Sequence, residues 1–89
     1  ELNQNYPNPF NNGTIIKFTL PRSGYTEVLI YNILGEVIAR PLSETMSAGE
    51  HSFRWDGKDK SGRTAPSGIY FYRIKSGSFS ETKKMVLVK

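Results

Sequence analysis

Between short clusters of Gly, Pro, Asn and Ser, apolar and polar residues alternate along this chain with a period of two. That period places every second side chain on one face of an extended strand. In Thr14 to Leu20, Ile16, Phe18 and Leu20 share a face while Lys17 and Thr19 point away. Tyr25 to Asn32 sets Val28 and Ile30 on one side, and the turn "NILGE" follows around Gly35. Val37 to Leu42 predicts a weaker strand at a sheet edge, because Pro41 has no N–H to give to a ladder. Glu50 to Trp55 puts His51, Phe53 and Trp55 on the inward side. Ile69 to Lys75 carries Tyr70, Tyr72 and Ile74 on one face with Ile69 and Phe71 on the other, which predicts a central position. Phe79 to Val88 closes the pattern with "MVLVK".

About seven short strands without an amphipathic helix predict an all-β protein, an immunoglobulin-like antiparallel sandwich of two sheets packed face to face. A small closed barrel is the structural alternative. The segment "NYPNPFNN" precedes the first strand. Pro7 and Pro9 fix their own φ and push Tyr6 and Asn8 into extended conformations, so helix is excluded there. Residues 1–13 are read as a rigid Pro/Asn-rich lead-in from an upstream domain, and residues 14–89 as a single sandwich domain. Tyr6 and Phe10, each beside a proline, are expected to pack on the end of the sandwich.

The 89 residues suffice for one domain near the lower size limit for a self-sufficient core. With no cysteine, disulfides and thiolate metal sites are excluded, and stability must come from packing and sheet hydrogen bonds. The formal charge of +4 is spread widely, with the densest group at Arg73, Lys75, Lys83, Lys84 and Lys89. A solvated basic face is the expected reading, and a nucleic-acid partner is not. No apolar run reaches the length of a membrane helix, and the first residues show no basic region followed by an apolar core. Because it begins with Glu1, the chain is read as a piece of a longer polypeptide.

Catalysis finds little support in these residues. His51 is the single histidine and lies in line with Phe53 and Trp55, a packed position, and the serines sit in turns without a nucleophile-elbow motif. The loop "DGKDKSGR" offers Asp56 and Asp59 as oxygen donors for calcium, but Lys58 and Lys60 stand where a calcium loop would place further ligands. Both aspartates are therefore expected to be turn residues rather than metal ligands, and no cofactor is expected. Tyr70 and Tyr72 resemble the stacking aromatics of an RNA-binding sheet, yet such a sheet needs helices behind it. They are expected in the core or at its boundary. Carbohydrate stacking by Trp55 or an exposed tyrosine would suit a secreted context, though no residue pattern identifies a binding face. The last strand is bracketed by lysines, a common guard against edge-to-edge aggregation, and equally a pattern that a receptor could read by strand addition.

Five segments in order carry a family resemblance: "NYPNPFN", "IYNILGEVI", "AGEHSFRWDGKDKSGR", "SGIYFYRI" and "KKMVLVK". Together they resemble the type A C-terminal sorting domain of bacterial type IX secretion (the Por secretion family), almost end to end. "WDGKDKSGRTAPSGIYFYRI" is also similar to the immunoglobulin-like domain of the flagellar hook-capping protein, a related family. The resemblance implies a noncatalytic address at the end of a secreted or surface protein. That address would be read by the outer-membrane secretion machinery after passage through the periplasm, with a covalently linked hydrolase or adhesin as cargo. By matching motif it implies that Gly68, Tyr70, Lys83, Lys84, Met85, Val86, Leu87, Val88 and Lys89 form the sorting signature. A structural or carbohydrate-associated accessory module of a secreted hydrolase is the alternative.

Overall fold

The computed structural model describes residues 1–88; Lys89 lies outside the described residues. Six strands follow one another: β1 (Thr14–Leu20), β2 (Gly24–Tyr31), β3 (Val37–Met46), β4 (Gly49–Trp55), β5 (Gly68–Ser76) and β6 (Phe79–Leu87). β1 and β4 form one antiparallel sheet, and the other runs in the order β3-β2-β5-β6. The all-β sandwich expected from the alternation is present, with six strands rather than about seven. β5 is central between β2 and β6, and β3 with Pro41 is an edge, as the alternation and the missing N–H require.

The two inner faces meet in one core. Ile16, Phe18, Leu20 and Trp55 from the smaller sheet pack against Val28, Ile30, Tyr70, Tyr72, Ile74, Met85 and Leu87 from the larger. Burying a side chain of this size contributes about 1.5–3 kcal/mol, and here the burial is distributed over every strand. β3 runs four residues past its expected end, because Ser43, Thr45 and Met46 continue to pair with Glu27, Tyr25 and Gly24. The exposed polar side chains of Ser43 and Thr45 reflect an edge position, and only Met46 reaches back to the core.

Residues 1–10 lie in the seam between the sheets. Asn3 N–H donates to Lys17 O, and Tyr6 and Ile15 exchange N–H to O bonds at 3.0 and 2.8 Å along the outer edge of β1. The segment then crosses to β6, where Phe10 N–H donates to Val86 O at 3.0 Å and Val88 N–H to Phe10 O at 2.8 Å. Leu2 and Phe10 are buried in the core at 1% and 3% exposure. Tyr6, expected to dock with Phe10, is instead 78% exposed. It occupies the extended stretch whose backbone pairs with β1, and its ring projects outward from that pairing.

Candidate functional site

The described residues singled out for recognition occupy β5, β6 and the position just after β6, and the register separates them into two groups. Gly68 pairs with Leu87, Ile69 with Val86, Tyr70 with Met85, Phe71 with Lys84 and Tyr72 with Lys83. Because successive strand residues face opposite sides, Tyr70, Lys83, Met85 and Leu87 point toward the core and Lys84, Val86 and Val88 away from it. Tyr70, Met85 and Leu87 are buried. Tyr70 is held by an O–H bond to Pro66 O at 2.6 Å, and burial raises its pKa. Lys83 is half-buried at the rim of the inner face, whereas Lys84 is exposed. The two consecutive lysines therefore serve different surfaces. Val88 is 48% exposed, and Lys89 lies outside the described residues.

On the outer face, Lys84 and Val86 adjoin Phe71 and Ile69, with Arg73 and Lys75 further along β5. Glu27, the acidic residue facing Lys75 across β2, forms an ion pair with Arg40 at 3.9 Å. The result is an apolar strip of Ile69, Phe71 and Val86 flanked by positive charge.

The backbone edge of β6 is taken. Besides the two bonds to Phe10, Val86 N–H donates to Asn8 Oδ1 at 2.9 Å, and Gln4 Nε2 donates to Lys84 O at 2.7 Å. Further up, the Leu2 N–H donates to Glu81 Oε1. A strand added between Lys84 and Val88 would first have to displace the N-terminal segment. Gln4 and Asn8 were not singled out by their sequence, since a polar residue near a proline reads as loop.

Tyr72 locks this arrangement from below. Its hydroxyl donates to Asn3 O at 2.7 Å and accepts from Asn5 N–H at 2.9 Å, so a fully buried side chain of β5 ties down the N-terminal backbone. Burial pushes the phenol up to about 12, against the opposing effect of the Asn5 N–H. Asn5 is itself buried and donates through Nδ2 to Thr14 Oγ1 and Pro7 O.

At the same end, Trp55 stacks edge-on between Phe10 and Tyr70, with centroids 5.7 and 6.1 Å away. Its indole N–H donates to Lys58 O at 3.1 Å. Trp55 is 2% exposed and offers no face for a sugar. The loop below it is ordered by its aspartates. Asp56 Oδ1 accepts from Lys58 N–H, and Asp59 Oδ1 accepts from the N–H groups of Ser61 and Arg63. The Arg63 N–H foremost, with Ser61 and the nearby cations, lowers the Asp59 pKa against the opposing desolvation. Both carboxylates thus cap local turns. Among the described residues, no group of three acidic or histidine side chains is placed to hold a metal.

His51 sits half-buried against Phe18, with centroids 5.6 Å apart, and its Nε2 meets Ser47 O at 2.7 Å rather than a nucleophile's hydroxyl. No helix among the described residues is long and apolar enough to cross a membrane.

Comparison with solved structures finds latent PorU of Porphyromonas gingivalis, solved as a dimer, at a TM-score of 0.77 and 22% identity, covering 96% of this chain and 9% of that one. FlgD of P. aeruginosa aligns at a TM-score of 0.68 and 30% identity over 84% of this chain and 59% of its own. PorZ of Porphyromonas gingivalis aligns at 0.68 and 17% identity, over 97% of this chain and 11% of its own. The chain thus spans a small part of PorU and PorZ and somewhat over half of FlgD. A comparison with curated proteins finds no match. The family model of the FlgD Ig-like domain matches residues 4–79, most of the chain, and the protein belongs to that family.

Proposed function

We propose that this chain is a noncatalytic sorting domain that directs an attached cargo across the bacterial outer membrane by type IX secretion. Its partners are then the outer-membrane secretion machinery and a covalently linked upstream cargo, a hydrolase or adhesin, delivered by way of the periplasm to the cell surface or medium. The observation that carries the reading is β6 itself. Its backbone edge is filled by residues 4–10 while Lys84, Val86 and Val88 project outward beside Arg73 and Ile69. Recognition then proceeds through side chains of the last strand rather than by strand addition. The likeness to PorU and to PorZ, the latter described as a surface component of the type IX secretion system, supports the reading. In both cases a domain of this size is a small part of a large chain.

Membership in the FlgD Ig-like family favours a second reading, a structural accessory module, which could also be carbohydrate-associated, without an address of its own. The two separate in a bacterium with type IX secretion. A periplasm-targeted fluorescent protein fused to residues 1–89 is compared with the same fusion carrying Lys84→Glu, Val86→Ser and Val88→Ser. These changes leave the buried Met85 and Leu87 in place. Export of the first fusion and retention of the second is expected. Retention of both, with the domain folded, overturns the sorting reading and leaves the accessory one. Export of both removes β6 side chains as the signal.

A further inference from the structure

Among the described residues, three of the four sheet edges are covered or blunted along at least part of their length, and the fourth is bare along all of it. The outer edge of β1, and that of β6 from Lys84 to Val88, are covered by residues 1–10. β3 carries Pro41, irregular register around Ile30, and a bond from Lys60 N–H to Ile38 O. β4 pairs with β1 on one side; among the described residues no backbone group of Gly49–Trp55 takes a partner beyond that ladder. It holds no proline and no lysine. Such an edge is a template for another strand.

The sequence of β4, Gly-Glu-His-Ser-Phe-Arg-Trp, is self-complementary about its centre. An antiparallel pairing of two copies around Ser52 sets Glu50 opposite the partner's Arg54, and Arg54 opposite the partner's Glu50. It also sets His51 opposite the partner's Phe53 and pairs all of the strand. Directly opposed residues share a face, so both ion pairs lie on the outer side, where Glu50 and Arg54 are exposed. Both His51–Phe53 pairs lie on the inner side, where these residues are half-buried against Phe18. Shifting the axis to His51 leaves Arg54 opposite no strand residue, and shifting it to Phe53 brings Glu50 toward the acidic Asp56. Charge therefore selects one register. Among the described residues Glu50 forms no ion pair. Arg54 donates from Nη2 to the carbonyl of Asn12 at 2.7 Å, and exchanging a neutral carbonyl for a carboxylate strengthens the bond.

We infer that β4 is the interface of a two-fold homodimer, in which the β1–β4 sheets of two copies join into one continuous sheet with Ser52 on the symmetry axis. The interface is isologous, so each ion pair occurs twice, and every charge change acts twice.

Sedimentation velocity over a dilution series of the 89-residue chain tests the inference. The wild type is expected to move between monomer and dimer with concentration. Glu50→Arg and Arg54→Glu, each alone, set like charges against each other and should weaken the dimer by about tenfold or more. Two further mixtures discriminate this register from a general charge effect. The double variant carrying both changes should dimerise again. An equimolar mixture of the two single variants should also dimerise, since one chain then carries two positive charges on this edge and the other two negative. Circular dichroism on each variant checks that the sandwich is retained, and the double variant controls for loss of the Arg54–Asn12 bond. A wild type that stays monomeric at every concentration, single variants that dimerise as the wild type does, or a mixture that stays monomeric would overturn the inference.

Discussion

The two seams of this sandwich are closed by different means. Between β1 and β6, residues 1–10 insert Leu2 and Phe10 into the core and spend their backbone bonds on both sheets. Between β3 and β4 no such segment runs among the described residues, and a groove lined by Ala39, Pro41, Arg54, Trp55 and Lys60 remains. The loop from Asp56 crosses its lower end through the Lys60–Ile38 bond. Burial and hydrogen bonding on the first side make the N-terminal segment a structural part of the domain. The unpaired edge on the second side leaves room for association. The end of β6, from Lys84 onward, is thereby sealed and presents side chains alone, while β4 presents backbone.

The contrast can be broken from the sealed side first. Phe10→Ala removes a buried ring from between Trp55 and the end of β6 and should cost about 3–5 kcal/mol in denaturant unfolding. Tyr6→Ala, four residues earlier in the same segment, should change stability by less than about 0.5 kcal/mol, because the ring is exposed. Equal effects from the two would mean that residues 1–10 pack differently from the arrangement described.

Tyr72→Phe comes next. It strands Asn5 N–H in the interior, removes the donor to the part-buried Asn3 C=O, and should cost about 1–3 kcal/mol. It should also change the alkaline limb of the stability profile. The folded phenol titrates at about 12, above the ordinary value of about 10, so its contribution is complete below pH 10 and is lost as pH rises toward 12. The variant should lack that part of the loss when melting is followed from neutral to alkaline pH.

The smallest effect belongs to the loop under the open seam. Asp59 has a lowered pKa, so whatever stability its turn contributes is present above the ordinary carboxylate range and is lost as pH falls through the folded value. A carboxyl-detected NMR titration should place its midpoint below that of an unstructured aspartate. Millimolar calcium should leave both this midpoint and the melting temperature unchanged, since both aspartate carboxylates already accept backbone N–H groups.

The strands that face the core on one side were legible because a half-buried strand writes its burial as a period of two. Ile16, Phe18, Leu20, Val28, Ile30, Tyr70, Tyr72 and Ile74 all follow that rule. The far half of β3 did not write it, since Ser43, Glu44 and Thr45 are polar on both faces of an edge strand and the single Met46 shows no alternation. Strand partners were not legible either. Alternation states which way a side chain faces, but β1 finds β4 and β2 finds β5 only through the packing of distant segments.

The N-terminal segment was the least legible. Its apolar anchors Leu2 and Phe10 are isolated among polar residues and prolines, and its role rests on backbone bonds that any residue could make. In β6 the period of two already separates Lys83 from Lys84, whereas the family resemblance groups them. The division into buried Tyr70, Met85 and Leu87 and outward Lys84, Val86 and Val88 needed the register with β5.

Native-state amide hydrogen exchange at low protein concentration tests the sealed seam most directly. The account predicts that the amides of Phe10, Val86 and Val88, bonded to Val86 O, Asn8 Oδ1 and Phe10 O, exchange slowly together with those of the core strands. Exchange of these three amides at the rate of an unprotected chain, with the β5 core still protected, would contradict it: the N-terminal segment would then be a tether, and the edge of β6 would be open to a partner strand.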